Sequence, residues 1–275
     1  MKSIGLALGA SLTWGFADFF GPLKGRTLGA LRVLFYVQVG GLAAIALIVA
    51  VRGKGPADSA ALFAVPAAIS GTLGLYAYYR GMAVGAMSIV APIAGISAVV
   101  PVAFGIATGD RPSTWQWLGI LAALAGVFLA SREPGHGGKV AAGVGLALLA
   151  ALGFGGYFPP MHTAGQADFW WASLIFRMTS TAVIHAAVAI RRPSLAVQPL
   201  QVPLLALIGI GDMLGNLLFA AASTSGLVSI TSVLASLYPI VTVILARVVL
   251  RERVARSQEA GIVLTLAGVA LISAG

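Results

Sequence analysis

No cysteine occurs in the chain, which excludes disulfides, thiolate nucleophiles and cysteine-ligated metals. Charge is nearly as scarce: charged residues fill 9% of the 275 positions, against roughly 25% in a soluble domain. So little polar surface cannot cover a water-exposed globule. The three histidines, His136, His162 and His185, are too scattered for a metal motif. Lys2, Lys24, Lys54 and Lys139, the only lysines, fall at segment edges or in loops, which argues against a retinal-type Schiff base. No P-loop, HExxH or GxSxG pattern is present, so neither a self-contained ATP-driven pump nor the common hydrolases find support. No metal, cofactor or catalytic residue is expected.

What is present is apolar. Hydrophobic residues make up 59% of the chain and the mean hydropathy is +0.98, so the bilayer is the expected solvent. The formal charge of +9 is spread over short loops, where it reads as topology signals and headgroup contacts, not as a nucleic-acid surface. Met1-Lys2 and the apolar run after it resemble a secretory signal. Trp14 and Asp18 interrupt that run, and a related segment recurs near residue 150, so it reads as a retained first helix.

A hydrocarbon core of about 30 Å takes about 20 apolar residues per helix. Cutting at glycine, proline and charge clusters predicts ten spans: 3–22, 30–51, 61–80, 86–108, 113–131, 141–161, 168–190, 202–223, 227–249 and 256–274. Joins are short, and the one clear linker, 132–139, lies at the midpoint. It separates a first half, 1–131, from a second, 140–275.

The halves repeat each other. GILAALAGVFLAS at 119–131 matches GIVLTLAGVALIS at 261–273, a shift of 142. ASLTWG at 10–15 matches AALGFG at 150–155, and Gly85-Ala86-Met87-Ser88-Ile89 matches Gly226-Leu227-Val228-Ser229-Ile230. Asp110 falls on Glu252, each beside an arginine. Five spans per half is an odd number, so the second copy enters the membrane upside down. The expected fold is all-α and integral to the membrane: ten transmembrane helices as two inverted five-helix repeats.

Ten helices in two halves, an acid after the fourth and ninth (Asp110, Glu252) and a closing Leu-Ala-Gly-Val in each resemble the EamA family of the drug/metabolite transporter superfamily. The resemblance covers essentially the whole chain. It departs from the usual Gly-Glu pair at Gly109-Asp110. It implies a transporter with both termini inside the cell. Counting basic residues by loop gives the opposite orientation.

Charge inside a span normally faces a cavity or a partner. Asp212 stands near the middle of the eighth span, with Asn216, the only asparagine, one turn on. It is a candidate proton-titrating or amine-binding carboxylate, or else a structural partner of Arg177, the one arginine far from a span end. Trp14 and Asp18 share a face of the first span, and Phe154 and Tyr157 hold a related part of the sixth. Trp14 and Tyr157 are candidate cavity linings, and Asp18 is a second candidate coupling group. Tyr79, beside Arg80, is either interfacial or turned inward. Ser232 and Ser236 form a hydroxyl stripe on the ninth span, and Pro92, Pro101, Pro239 and Pro159-Pro160 are candidate kinks.

The leading reading is a secondary active transporter of a small metabolite, an amino acid or related solute, working by alternating access in the inner cell membrane, with export as the expected direction. A proton-coupled exporter of hydrophobic cations is the alternative within transport, and a membrane lipid-modifying enzyme is the alternative from another class. Expected partners are a small-molecule substrate, the lipid bilayer and, as a candidate coupling ion, protons. A monomer or weak homodimer is expected, without nucleic acid.

Overall fold

The computed structural model describes residues 2–84, 94, 96–130, 140–249 and 256–274. Their regular structure is helical throughout, with no strand: α1 (Lys2–Leu28), α2 (Ala30–Arg52), α3 (Ala64–Val84), α4 (Val99–Ala107), α5 (Thr114–Ala130), α6 (Val140–Arg191), α7 (Gln201–Ser223), α8 (Val228–Ala235), α9 (Tyr238–Val249) and α10 (Arg256–Ala274). Single 3-10 turns lie at Ser59–Phe63 and Ile96–Ala98. The first part of the expected fourth span with Pro92 and Ser88, the linker 132–139, Glu252 and the side chain of Arg247 lie outside the described residues.

Five of the described helical segments are long and apolar enough to cross a bilayer: Lys2–Leu28, Ala30–Arg52, Ser59–Met82, Gly145–Arg191 and Gln201–Ser223. Two regions of the described chain differ from the expected cutting. α6 runs 52 residues through Pro159 and Pro160, where a loop at 162–167 was expected. At 1.5 Å per residue that would extend roughly 78 Å, far more than one bilayer. The chain instead breaks at Asp168, whose backbone is extended (φ −163°, ψ 103°). Its carboxylate accepts the Trp170 and Trp171 N–H groups at 2.9 and 3.2 Å, capping the new helix start. The expected ninth span is likewise two pieces, α8 and α9, separated at Ser236 and Leu237. The 3-10 turn at Ile96–Ala98 stands at the matching place in the first half, 141 residues earlier.

Glycine contacts show how the two copies meet. A Cβ on Gly119 of α5 would lie 2.7 Å from the Gly268 carbonyl oxygen of α10, and one on Gly126 would lie 2.7 Å from that of Gly261. The sequence match pairs Gly119 with Gly261 and Gly126 with Gly268. Each glycine therefore touches the counterpart of the other, and the two helices run antiparallel. Gly15 and Gly155 repeat the pattern: the first lies against the Tyr238 carbonyl and Val241, the second against the Ser97 carbonyl and Val100. Reciprocity of this kind is the signature of a two-fold relation. Without a hydrophobic driving force between helices, such close backbone approach supplies much of their association in lipid.

Asp110 ties the halves at another point. Gly109 turns the chain after α4 at φ +113°, a conformation that favours glycine. Asp110 Oδ2 then accepts the Ser229 N–H at 2.8 Å and the Ser229 hydroxyl at 2.7 Å, at the N-terminal turn of α8.

Candidate functional site

Glycine decides where the buried charges sit. α2 crosses α7 at Gly41 and Gly209, where a Cβ on Gly41 would meet the Gly209 carbonyl at 2.7 Å. The same Cβ would lie 3.1 Å from the Arg177 guanidinium, so the space that glycine leaves is filled by arginine. Arg177, on the arm of α6 beyond the break, is wholly buried. Its Nη2 donates to Asp212 Oδ2 at 2.6 Å and its Nη1 to Gln38 Oε1 at 2.7 Å. Asn216 Nδ2 donates back to the Asp212 carbonyl at 2.8 Å and steadies that turn of α7. A charge at this depth is costly unless it meets a partner or a cavity. The Arg177–Asp212 alternative read from the sequence is thus the geometry found.

Beside this network lies a partly open cavity. Its charged and amide wall consists of Asp18 from α1, Gln38 from α2, and Asp212 and Asn216 from α7. Thr72 and Ser180 close part of another wall, their hydroxyls 2.8 Å apart. The rest is largely aromatic: Trp14, Phe154, Tyr157, Phe158, Phe176 and Tyr238. Trp14 is the hub, edge-on to Tyr157 at 5.8 Å and to Tyr238 at 6.5 Å between ring centres. Helices from both halves contribute.

The two carboxylates differ in company. Asp212 is ion-paired. Asp18 is 8% exposed and, among the described residues, has neither a hydrogen bond nor a salt bridge. Tyr157 also turns a buried hydroxyl without a hydrogen-bond partner among the described residues.

Five sequence-derived candidates therefore share one cavity: Trp14, Asp18, Tyr157, Asp212 and Asn216. Arg177 stands behind it. Three others are placed elsewhere. Tyr79 is 4% exposed and fills the groove that Gly21 and Gly25 leave on α1, so its ring packs between helices and does not line the wall. Ser232 and Ser236 are buried at 0% and 2%, with neither hydroxyl on the wall. Every residue of α8 is enclosed, and its chain first reaches the cavity at Tyr238, past the helix break. Gln38, Thr72 and Ser180 were missed. Gln38 did carry a signal, as a lone amide in an apolar span. Among the described residues no group of three or more histidine, aspartate or glutamate side chains is placed to hold a metal.

A family model described as the EamA-like transporter family matches residues 1–132 and 141–274. No curated protein sequence matches the chain. A solved structure described only as "Crystal structure of protein" superposes with a TM-score of 0.78 at 18% identity, covering 99% of this chain and 98% of that one. At that identity the likeness is one of fold.

Proposed function

Since the chain belongs to the EamA-like transporter family, a family of multi-pass membrane transporters, we propose that it is a secondary active transporter of a small organic solute. The observation that carries this reading is the cavity lined from both halves, whose carboxylate on α1 has no ion-pair partner among the described residues. The proposed architecture is ten spans in two inverted five-helix units, 1–131 and 140–275. The reciprocal glycine contacts support the inversion. Rocking of one unit against the other would expose the cavity to each side in turn. Trp14, Tyr157, Asn216 and Asp18 are the proposed solute contacts, and Asp212 with Arg177 the proposed brace. Export across the cell membrane is the proposed direction.

Reconstitution into liposomes tests this. Counterflow of labelled small solutes should exceed that of empty liposomes and of a Trp14→Ala variant. Equal flux in all three across neutral, cationic, zwitterionic and anionic solutes would overturn the reading. A second reading, coupling to protons, is favoured by one observation: Asp18 has no fixed cation among the described residues and so is free to exchange a proton.

A further inference from the structure

Charge around the cavity does not balance. Asp18 and Asp212 both line it, whereas among the described residues no lysine, arginine or histidine does. Arg177 closes on Asp212 from behind, and its other terminal nitrogen is taken by Gln38. Two carboxylates against one guanidinium leave a single negative charge when all three are ionised, and it rests with Asp18. Uncompensated charge within a membrane protein is costly, and a ligand that supplies the missing positive charge relieves that cost.

The walls fix what kind of cation this is. A bare metal ion needs a cage of oxygens, and this cavity is mainly aromatic. Trp14 stands one turn before Asp18 on the same face of α1, with Tyr157 and Tyr238 edge-on to it at 5.8 and 6.5 Å. An aromatic lining beside a carboxylate suits a desolvated ammonium. A solute carboxylate would find no such partner, since the one nearby guanidinium is wholly buried and already bridged to two side chains.

Resting on the transporter reading, we infer that the cavity selects organic amines carrying an apolar body and no carboxylate, and that Asp18 receives the ammonium. Zwitterionic amino acids are then poor ligands. Asp212 sets the shape of the site without holding the charge of the solute.

The test is equilibrium binding to the purified full chain in detergent, using four probes: phenethylamine, benzyltrimethylammonium, phenylalanine and 3-phenylpropanoate. The first two should bind saturably, phenylalanine at least tenfold more weakly than phenethylamine, and 3-phenylpropanoate not at all. Asp18→Asn should weaken phenethylamine binding at least tenfold. The probe series on the parent protein stands even if that variant fails to fold. Phenylalanine binding as tightly as phenethylamine, unchanged amine affinity in a folded Asp18→Asn variant, or no saturable binding of either amine would overturn the inference. Amine binding without flux in liposomes would sink the transport reading alone. Flux of neutral or anionic solutes without amine binding would sink this inference alone.

Discussion

Asp18 and Asp212 line the same cavity from opposite halves of the chain, and their surroundings differ in kind. Asp212 lies beside a fully buried guanidinium, at a crossing of α2 and α7 where glycine has cleared the space. Asp18 lies among aromatic rings without a counter-charge among the described residues. Membrane burial penalises both charges, but only one penalty is offset inside the protein. A carboxylate already satisfied stabilises the fold. One left unsatisfied is available to a solute.

That contrast breaks first at the paired acid. Asp212→Asn leaves Arg177 charged and buried, so it should destabilise by about 3–5 kcal/mol, read as a large fall in melting temperature in detergent. Replacing both partners, Arg177→Met with Asp212→Leu, should recover most of that loss, because neither charge then remains. If the single variant melts like the parent, the ion pair is not a brace.

Gly209→Ala attacks the same region through space. The added methyl would collide with the Val37 carbonyl and push α2 from α7, at a cost of about 1–3 kcal/mol. Thr72→Val removes the hydroxyl pair with Ser180 and should cost about 1 kcal/mol. Asp18→Asn should show the smallest effect on stability, with a melting temperature equal to or above that of the parent. Removing an unpaired buried charge relieves strain that the site holds for function. A fall as large as that of Asp212→Asn would erase the distinction between the two acids.

Parts of this were legible beforehand for definite physical reasons. The tails at 119–131 and 261–273 keep their glycines because helices there meet backbone to backbone, so the repeat survives in sequence. Charged residues are rare enough in apolar spans that Asp18, Arg177 and Asp212 single themselves out. Neutral polar residues give a weaker signal. Ser232 and Ser236 look like a cavity stripe, yet Ser232 belongs to an enclosed helix and Ser236 is the buried residue that ends it. Tyr79 looks like a hydrogen-bond donor for a ligand, but Gly21 and Gly25 on another helix shape its pocket. Which face of a helix meets the cavity is decided by its neighbours across the bundle, and no single span records that. The start of the next span at 168 was legible, but the continuation of helix past Pro159-Pro160 through 162–167 was hidden for a similar reason: a proline pair marks a bend without saying whether the helix ends there.

The most direct test of the difference between the two acids is their reactivity toward a hydrophobic carbodiimide, which adds to an accessible carboxyl that is free to take up a proton and spares one held in an ion pair. The purified protein would be treated with the reagent, digested, and the adducts on the peptides carrying Asp18 and Asp212 quantified by mass spectrometry. Asp18 should be modified at least tenfold faster than Asp212, and saturating phenethylamine should suppress that reaction. Preferential modification of Asp212, with Asp18 inert, would contradict the assignment of the free carboxylate to α1.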